Sequence, residues 1–159
     1  MKAATVAQLK KELQYKDQEE LVQLSLRLAK FKLENKELLS YLLFLADDEE
    51  DYVAEVKGDI SYEFSEINTS SYFYIKKSVR KILRGLKKNI RYSGNKETEV
   101  RLLLHFCDEL IAIKPSIRRN KMLMNIYDRQ LAMAKKKIDA LHEDLQYDYL
   151  QLLEAHQSN

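Results

Sequence analysis

From Ser71 to Tyr92 the chain reads SYFYIKKSVRKILRGLKKNIRY. The apolar residues Ile75, Val79, Ile82, Leu83, Leu86 and Ile90 recur at helical steps, and most positions between them are cationic. A half-buried strand would alternate every second residue, so this stretch predicts an amphipathic helix over 71–92. The same period extends in both directions. Upstream, Leu21, Leu24, Leu28 and Phe31 step by three and four behind the capping pair Asp17 and Glu20, and Thr5 with Gln8 starts a shorter helix. Asn35 is read as the next start signal. Residues 36–46 are apolar almost all round, which predicts the central core helix, with Leu42 fully buried. The acidic run at 47–51 opens a helix to about Ile67, since carboxylates complement the positive end of the helix dipole. Ser93-Gly94-Asn95 is a turn, and a further helix over 96–113 ends before Pro115.

Beyond Pro115 there is no Gly or Pro. Tyr127, Leu131, Ala134, Ile138, Leu141 and Leu145 form a near-heptad seam that Tyr149 and Leu152 continue. A long C-terminal helix over 116–155 is expected. Unbroken, it would measure about 60 Å, so a break is placed near 118–121. The seam suits packing across the chain's own domain. A dimer through the C-terminal helix is the alternative.

The whole chain of 159 residues holds three glycines and one proline. Turn-rich β folds need many more of both, and Rossmann and P-loop sites need clustered glycines. The expected fold class is all-α: a single domain over 1–159 with six or seven helices stacked as antiparallel hairpins, as a bundle or a short α-solenoid. One cysteine excludes an internal disulfide framework. The start, Met1-Lys2-Ala3-Ala4-Thr5, leads into charged residues without an apolar signal region, and no stretch approaches the ~20 apolar residues of a membrane span. A cytoplasmic protein with no membrane partner is expected.

The net charge of +2 conceals a segregation. Residues 47–66 carry nine acidic groups and one basic, whereas residues 67–96 carry nine basic groups and no acidic one. Within the basic block, Lys76, Arg80, Arg84, Lys87 and Arg91 form a column on one flank of the apolar stripe, and Lys77, Lys81 and Lys88 point away from it. The residues singled out as a partner-binding face are Lys77, Arg80, Lys81, Arg84, Lys88 and Arg91. One reading is structural: the acidic helix that precedes the basic one neutralises it. Wheel geometry opposes this, because Glu55, Asp59 and Glu63 flank their own stripe on the far rotational side. The column is then left exposed, with at most two contacts to the acidic helix. An acidic protein partner is the first functional reading. A nucleic acid, bound through residues 76–96 with Tyr72, Tyr74 and Tyr92 nearby, is the second.

Catalytic, metal and cofactor chemistry lacks candidate residues. Asp139-x-x-His142 is half of a di-iron motif with the wrong acid. The run 47–51 lacks the glycine and spacing of a calcium loop. Cys107 lies on an apolar face, two residues from His105 and therefore on the other side of the helix. Ser78-x-x-Lys81 matches a Ser-Lys dyad pattern without its supporting motifs. His142 and His156 read as solvent residues. The expectation is a non-enzymatic helical interaction or adaptor protein with no cofactor.

The segments Asn35-Lys36-Glu37-Leu38-Leu39-Ser40-Tyr41-Leu42-Leu43-Phe44, Lys76-Lys77-Ser78-Val79-Arg80-Lys81-Ile82-Leu83-Arg84, and Lys96-Glu97-Thr98-Glu99-Val100 leading into His105-Phe106-Cys107 resemble an uncharacterised family of small all-helical bacterial proteins. The resemblance spans roughly residues 17–110. It implies a bacterial, all-helical, cytosolic protein and transfers no functional residue.

Overall fold

Local capping chemistry sets where the helices begin. In the computed structural model, which describes residues 1–158, the chain forms eight α-helices and one 3-10 turn, with no strand among the described residues. Helix α1 is Val6–Leu13, α2 Gln18–Phe31, α3 Leu33–Phe44, α4 Glu49–Ser65, α5 Tyr72–Ser93, α6 Lys96–Ile111, α7 Lys121–Ile138 and α8 Glu143–Gln157. Thr5 and Gln8 form the expected capping box, as do Asp17 and Glu20, where each partner's carboxylate accepts the other's backbone N–H at 2.8 and 3.0 Å. Gly94 closes α5 in the left-handed conformation at φ 66°, which glycine adopts without steric cost. Its N–H donates to the Ile90 carbonyl at 2.9 Å, and the Asn95 side chain then caps α6.

The chain divides into two compact units, residues 1–43 and 44–159. In the second unit α6 is the hub. It packs against α4, α5 and α7, and its residues Leu102, Leu103, Phe106, Cys107 and Leu110 are fully enclosed. Around it lie Val53, Val56, Ile60 and Phe64 of α4, and Ile75, Val79, Ile82 and Leu86 of α5. Helix α7 contributes Leu123, Tyr127, Leu131, Ala134 and Ile138. Phe64 and Phe106 meet edge to face with centroids 5.5 Å apart.

This overturns the expectation of a core helix at 36–46. Leu42 is 56% exposed, and Leu38 and Leu43 are also open. All-round apolarity requires neighbours on all sides to become burial, and α3 does not have them. The C-terminal region also differs from one long helix. Residues Ile117–Arg119 form a 3-10 turn, so the chain does break near 118–121, and it breaks again between Ile138 and Glu143. The second break raises the helix count to eight. Up to that break the seam residues Tyr127, Leu131, Ala134 and Ile138 pack within the chain itself. Asn35 starts no helix. It sits inside α3 and donates from its side chain to the Leu28 carbonyl at 2.8 Å, tying α3 to the end of α2.

No helix among the described residues is long and apolar enough to cross a membrane.

Candidate interaction face on α5

Helix α5 has the most sharply two-sided sequence of the eight. Its apolar stripe is buried, which fixes the rotation of the helix and so fixes the direction of every cation. Lys77, Arg80, Lys81, Arg84 and Arg91 are exposed, and Lys88 is half-buried. Adjacent flank residues four apart stand about 6 Å apart along the axis. Lys76 is drawn in, with its Nζ 3.8 Å from the Met122 sulfur.

Among the described residues, the acidic block forms no ion pair with the five exposed cations. Among the described residues Glu55, Asp59 and Glu63 make no ion pair within 4 Å, nor do Lys77, Arg80, Lys81, Arg84 and Arg91. Burial pushes the Glu63 carboxyl up, with Lys81 pulling it down at longer range. Carboxylates of α4 with partners sit at its first turn and reach α6 and the last residue of α5. Glu49 accepts hydrogen bonds from Ser93 and, at 2.5 Å, from Thr98. Arg101 donates both guanidinium arms to Glu50, at 2.6 and 2.9 Å, and holds that carboxyl below its ordinary range.

The aromatic residues do not interleave with the cations. Tyr72 is half-buried and donates to the Ser116 carbonyl at 2.7 Å, and Tyr92 is also half-buried. Phe73 and Tyr74 are exposed, edge on to one another at 5.3 Å, at one end of the helix.

The other candidates resolve into structural roles. Burial pushes the Cys107 thiol up to about 12, which keeps it protonated and non-nucleophilic at neutral pH. Asp139 pairs with Lys135 at 2.5 Å, and the exposed His142 caps α8. The run 47–51 is the start of α4, capped by Asp48. No group of three or more His, Cys, Asp or Glu among the described residues could hold a metal ion. His156 corrects the solvent reading. Its side chain is only 10% exposed, and its ring is held between the Tyr127 hydroxyl and Asp108, each at 3.0 Å.

One constellation was missed in the sequence. Ser61 of α4 lies 2.9 Å from His105 Nε2 and donates to Glu109 Oε1 at 2.7 Å. The residue types are those of a catalytic triad, but the geometry is not. A triad acid orients the histidine from Nδ1, leaving Nε2 to take the serine proton. Here serine and carboxylate both crowd Nε2, and the serine proton is already given to Glu109. Nε2 also lies 3.1 Å from the Lys57 carbonyl, which can only accept. A proton on Nε2 serves both oxygens, so the cluster fastens α4 to α6. His105 and Glu109 are spaced i,i+4 on α6, but Ser61 lies more than forty residues away, and only the packing of α4 on α6 unites them.

No known protein family, curated protein or solved structure matches the chain.

Proposed function

We propose that this is a non-enzymatic helical interaction protein of the cytoplasm, whose basic α5 face docks an acidic protein partner. The observation that carries the reading is the exposure of Lys77, Arg80, Lys81, Arg84 and Arg91 on one helix, with no ion pair to a carboxylate within 4 Å among the described residues. A stack of short helices around α6 would serve as the scaffold that presents it. A protein partner is favoured over a nucleic acid because tyrosines that could stack on bases are tied down or lie at one end. Nucleic-acid binding through residues 76–96 is the second reading, supported by the charge alone.

The test compares the full chain with a Lys77→Glu, Lys81→Glu, Arg84→Glu variant. Fluorescence anisotropy is read with a labelled oligo-glutamate peptide and a labelled single-stranded oligonucleotide. The peptide is expected to bind, and the variant to bind it at least tenfold more weakly, with unfolding free energy changed by less than about 1 kcal/mol, as for exposed sites. Tighter oligonucleotide binding, with a log-log salt slope reporting several neutralised phosphates, would select the second reading. Equal binding by variant and wild type would remove both.

A further inference from the structure

The N-terminal unit has almost no core of its own. Across residues 1–43 only Ala29 and Tyr41 are buried. The closely packed helix pairs all lie in the second unit. Helices α1, α2 and α3 have 8, 14 and 12 residues, lengths at which isolated helices are marginal in water. Order in such helices comes from covering their apolar faces, and these faces are open. Val6 is 82% exposed, Leu28 64% and Phe31 77%. On the stripe of α2, Leu21 and Leu24 are 37% and 40% exposed beside the more open Leu28 and Phe31, so apolar surface is left uncovered along its whole length.

We propose that this face is covered by a second copy of the same chain, docked antiparallel along α2. Two observations select that occupant. The apolar residues Leu21, Leu24, Leu28 and Phe31 follow the 3–4 spacing of a helix-pairing seam, which is self-complementary about a two-fold axis. Charge along α2 then fixes the direction. Asp17 and Glu20 lie at its start, and Arg27 and Lys32 at its end, all exposed. A parallel copy would set like charge against like. An antiparallel copy sets the acidic start against the basic end. Glu20 and Arg27 share one flank of the stripe, so each would face its opposite on the partner. The helix dipoles oppose favourably in the same arrangement. Residues 1–46 carry eight basic and six acidic groups, so two copies meet with little net repulsion. Next to the seam a groove of about 270 Å³, lined by Leu28, Leu38, Leu39 and Leu42 with Ser25 and Asn35, offers room for the partner's side chains. This interface is separate from the α5 face, so either reading can fail without the other.

Sedimentation equilibrium on the full chain tests it. At about 50 µM, a concentration that populates micromolar dimers, the expected mass is about twice 18.8 kDa. A Leu24→Lys, Leu28→Lys variant is expected to be monomeric. At high dilution, where both proteins are monomers, the two should share one thermal midpoint, showing that dimer loss is not misfolding. Direction is read by mixing. Glu20→Lys and Arg27→Glu chains should each dimerise at least tenfold more weakly than wild type, and should recover when combined. A wild-type chain that stays monomeric, or dimers that survive the leucine substitutions, would overturn the proposal. Failure of the mixed chains to recover would overturn the antiparallel arrangement. Capture of a foreign protein on this face by a monomeric chain would assign a different occupant.

Discussion

Replacing Phe106 with alanine should remove the keystone of the second unit. Phe106 is fully enclosed at the centre of α6, and its ring stands edge to face with Phe64 at 5.5 Å. Truncating a buried phenylalanine costs about 3–5 kcal/mol, the sum of lost transfer energy and the cavity left behind. The aromatic pair contributes about 0.5–1.5 kcal/mol of that. Domains of this size have about 5–15 kcal/mol in total, so the variant would lose about a fifth or more of its stability. Urea unfolding followed by far-ultraviolet circular dichroism is the assay, with the midpoint falling and the slope held. Leu42→Ala, measured beside it at high dilution, is the control. Leu42 is 56% exposed, so its truncation should cost less than about 1 kcal/mol. A Leu42→Ala loss equal to that of Phe106→Ala would refute the placement of the core at α6.

Two further outcomes follow from local geometry. Tyr149 donates its hydroxyl to Glu97 at 2.6 Å, and burial together with that bond pushes the phenol upward. A raised phenol contributes stability that is fully present below the unfolded value near 10 and is lost as pH climbs through the folded one. Tyr149→Phe should therefore cost about 1–2 kcal/mol at pH 7 and flatten the alkaline decline in thermal midpoint; an unchanged decline would count against it. Gly58 and Gly94 separate two glycine roles. A Cβ at Gly58, in the middle of α4, meets nothing within 4 Å, so Gly58→Ala should stabilise by about 0.5–1 kcal/mol. Gly94→Ala, at positive φ, should destabilise by about 1 kcal/mol. Thermal unfolding of both variants checks the opposite signs.

What could be read from the residues was what is decided within a few residues of sequence. The capping boxes at Thr5 and Asp17, the Gly94-Asn95 junction and the stripe of α5 all depend on spacings of three or four, and all are where the sequence places them. The core was misplaced because apolarity describes a helix and not its neighbours. Residues 36–46 are apolar almost all round, while residues 100–110 set Arg101, His105, Asp108 and Glu109 along one side. Only the second has α4, α5 and α7 against it. Leu102 and Phe106 accordingly went unnoticed as core residues. The polar ties between helices were invisible for the same reason. Ser61 reaches His105 and Glu109, and His156 reaches Asp108 and Tyr127, across dozens of residues that no local pattern connects.

Among the described residues, Glu55, Asp59 and Glu63 make no ion pair within 4 Å with Lys77, Arg80, Lys81, Arg84 or Arg91. That leaves an energetic question about why the cations are there. Like charges at i,i+4 each cost a helix about 0.2–0.5 kcal/mol. Lys76 with Arg80, Lys77 with Lys81, Arg80 with Arg84, Arg84 with Lys88 and Lys87 with Arg91 are all such pairs. Together they cost the helix about 1–2.5 kcal/mol. A face serving only solubility would avoid that cost by alternating signs. Helix α5 tolerates the repulsion because its buried stripe, Ile75, Val79, Ile82 and Leu86, holds it in place. Burying the four side chains contributes about 6–12 kcal/mol, several times the summed repulsion. The core thus supports a cation density that an isolated helix would not sustain, and an acidic ligand would relieve the repulsion on binding.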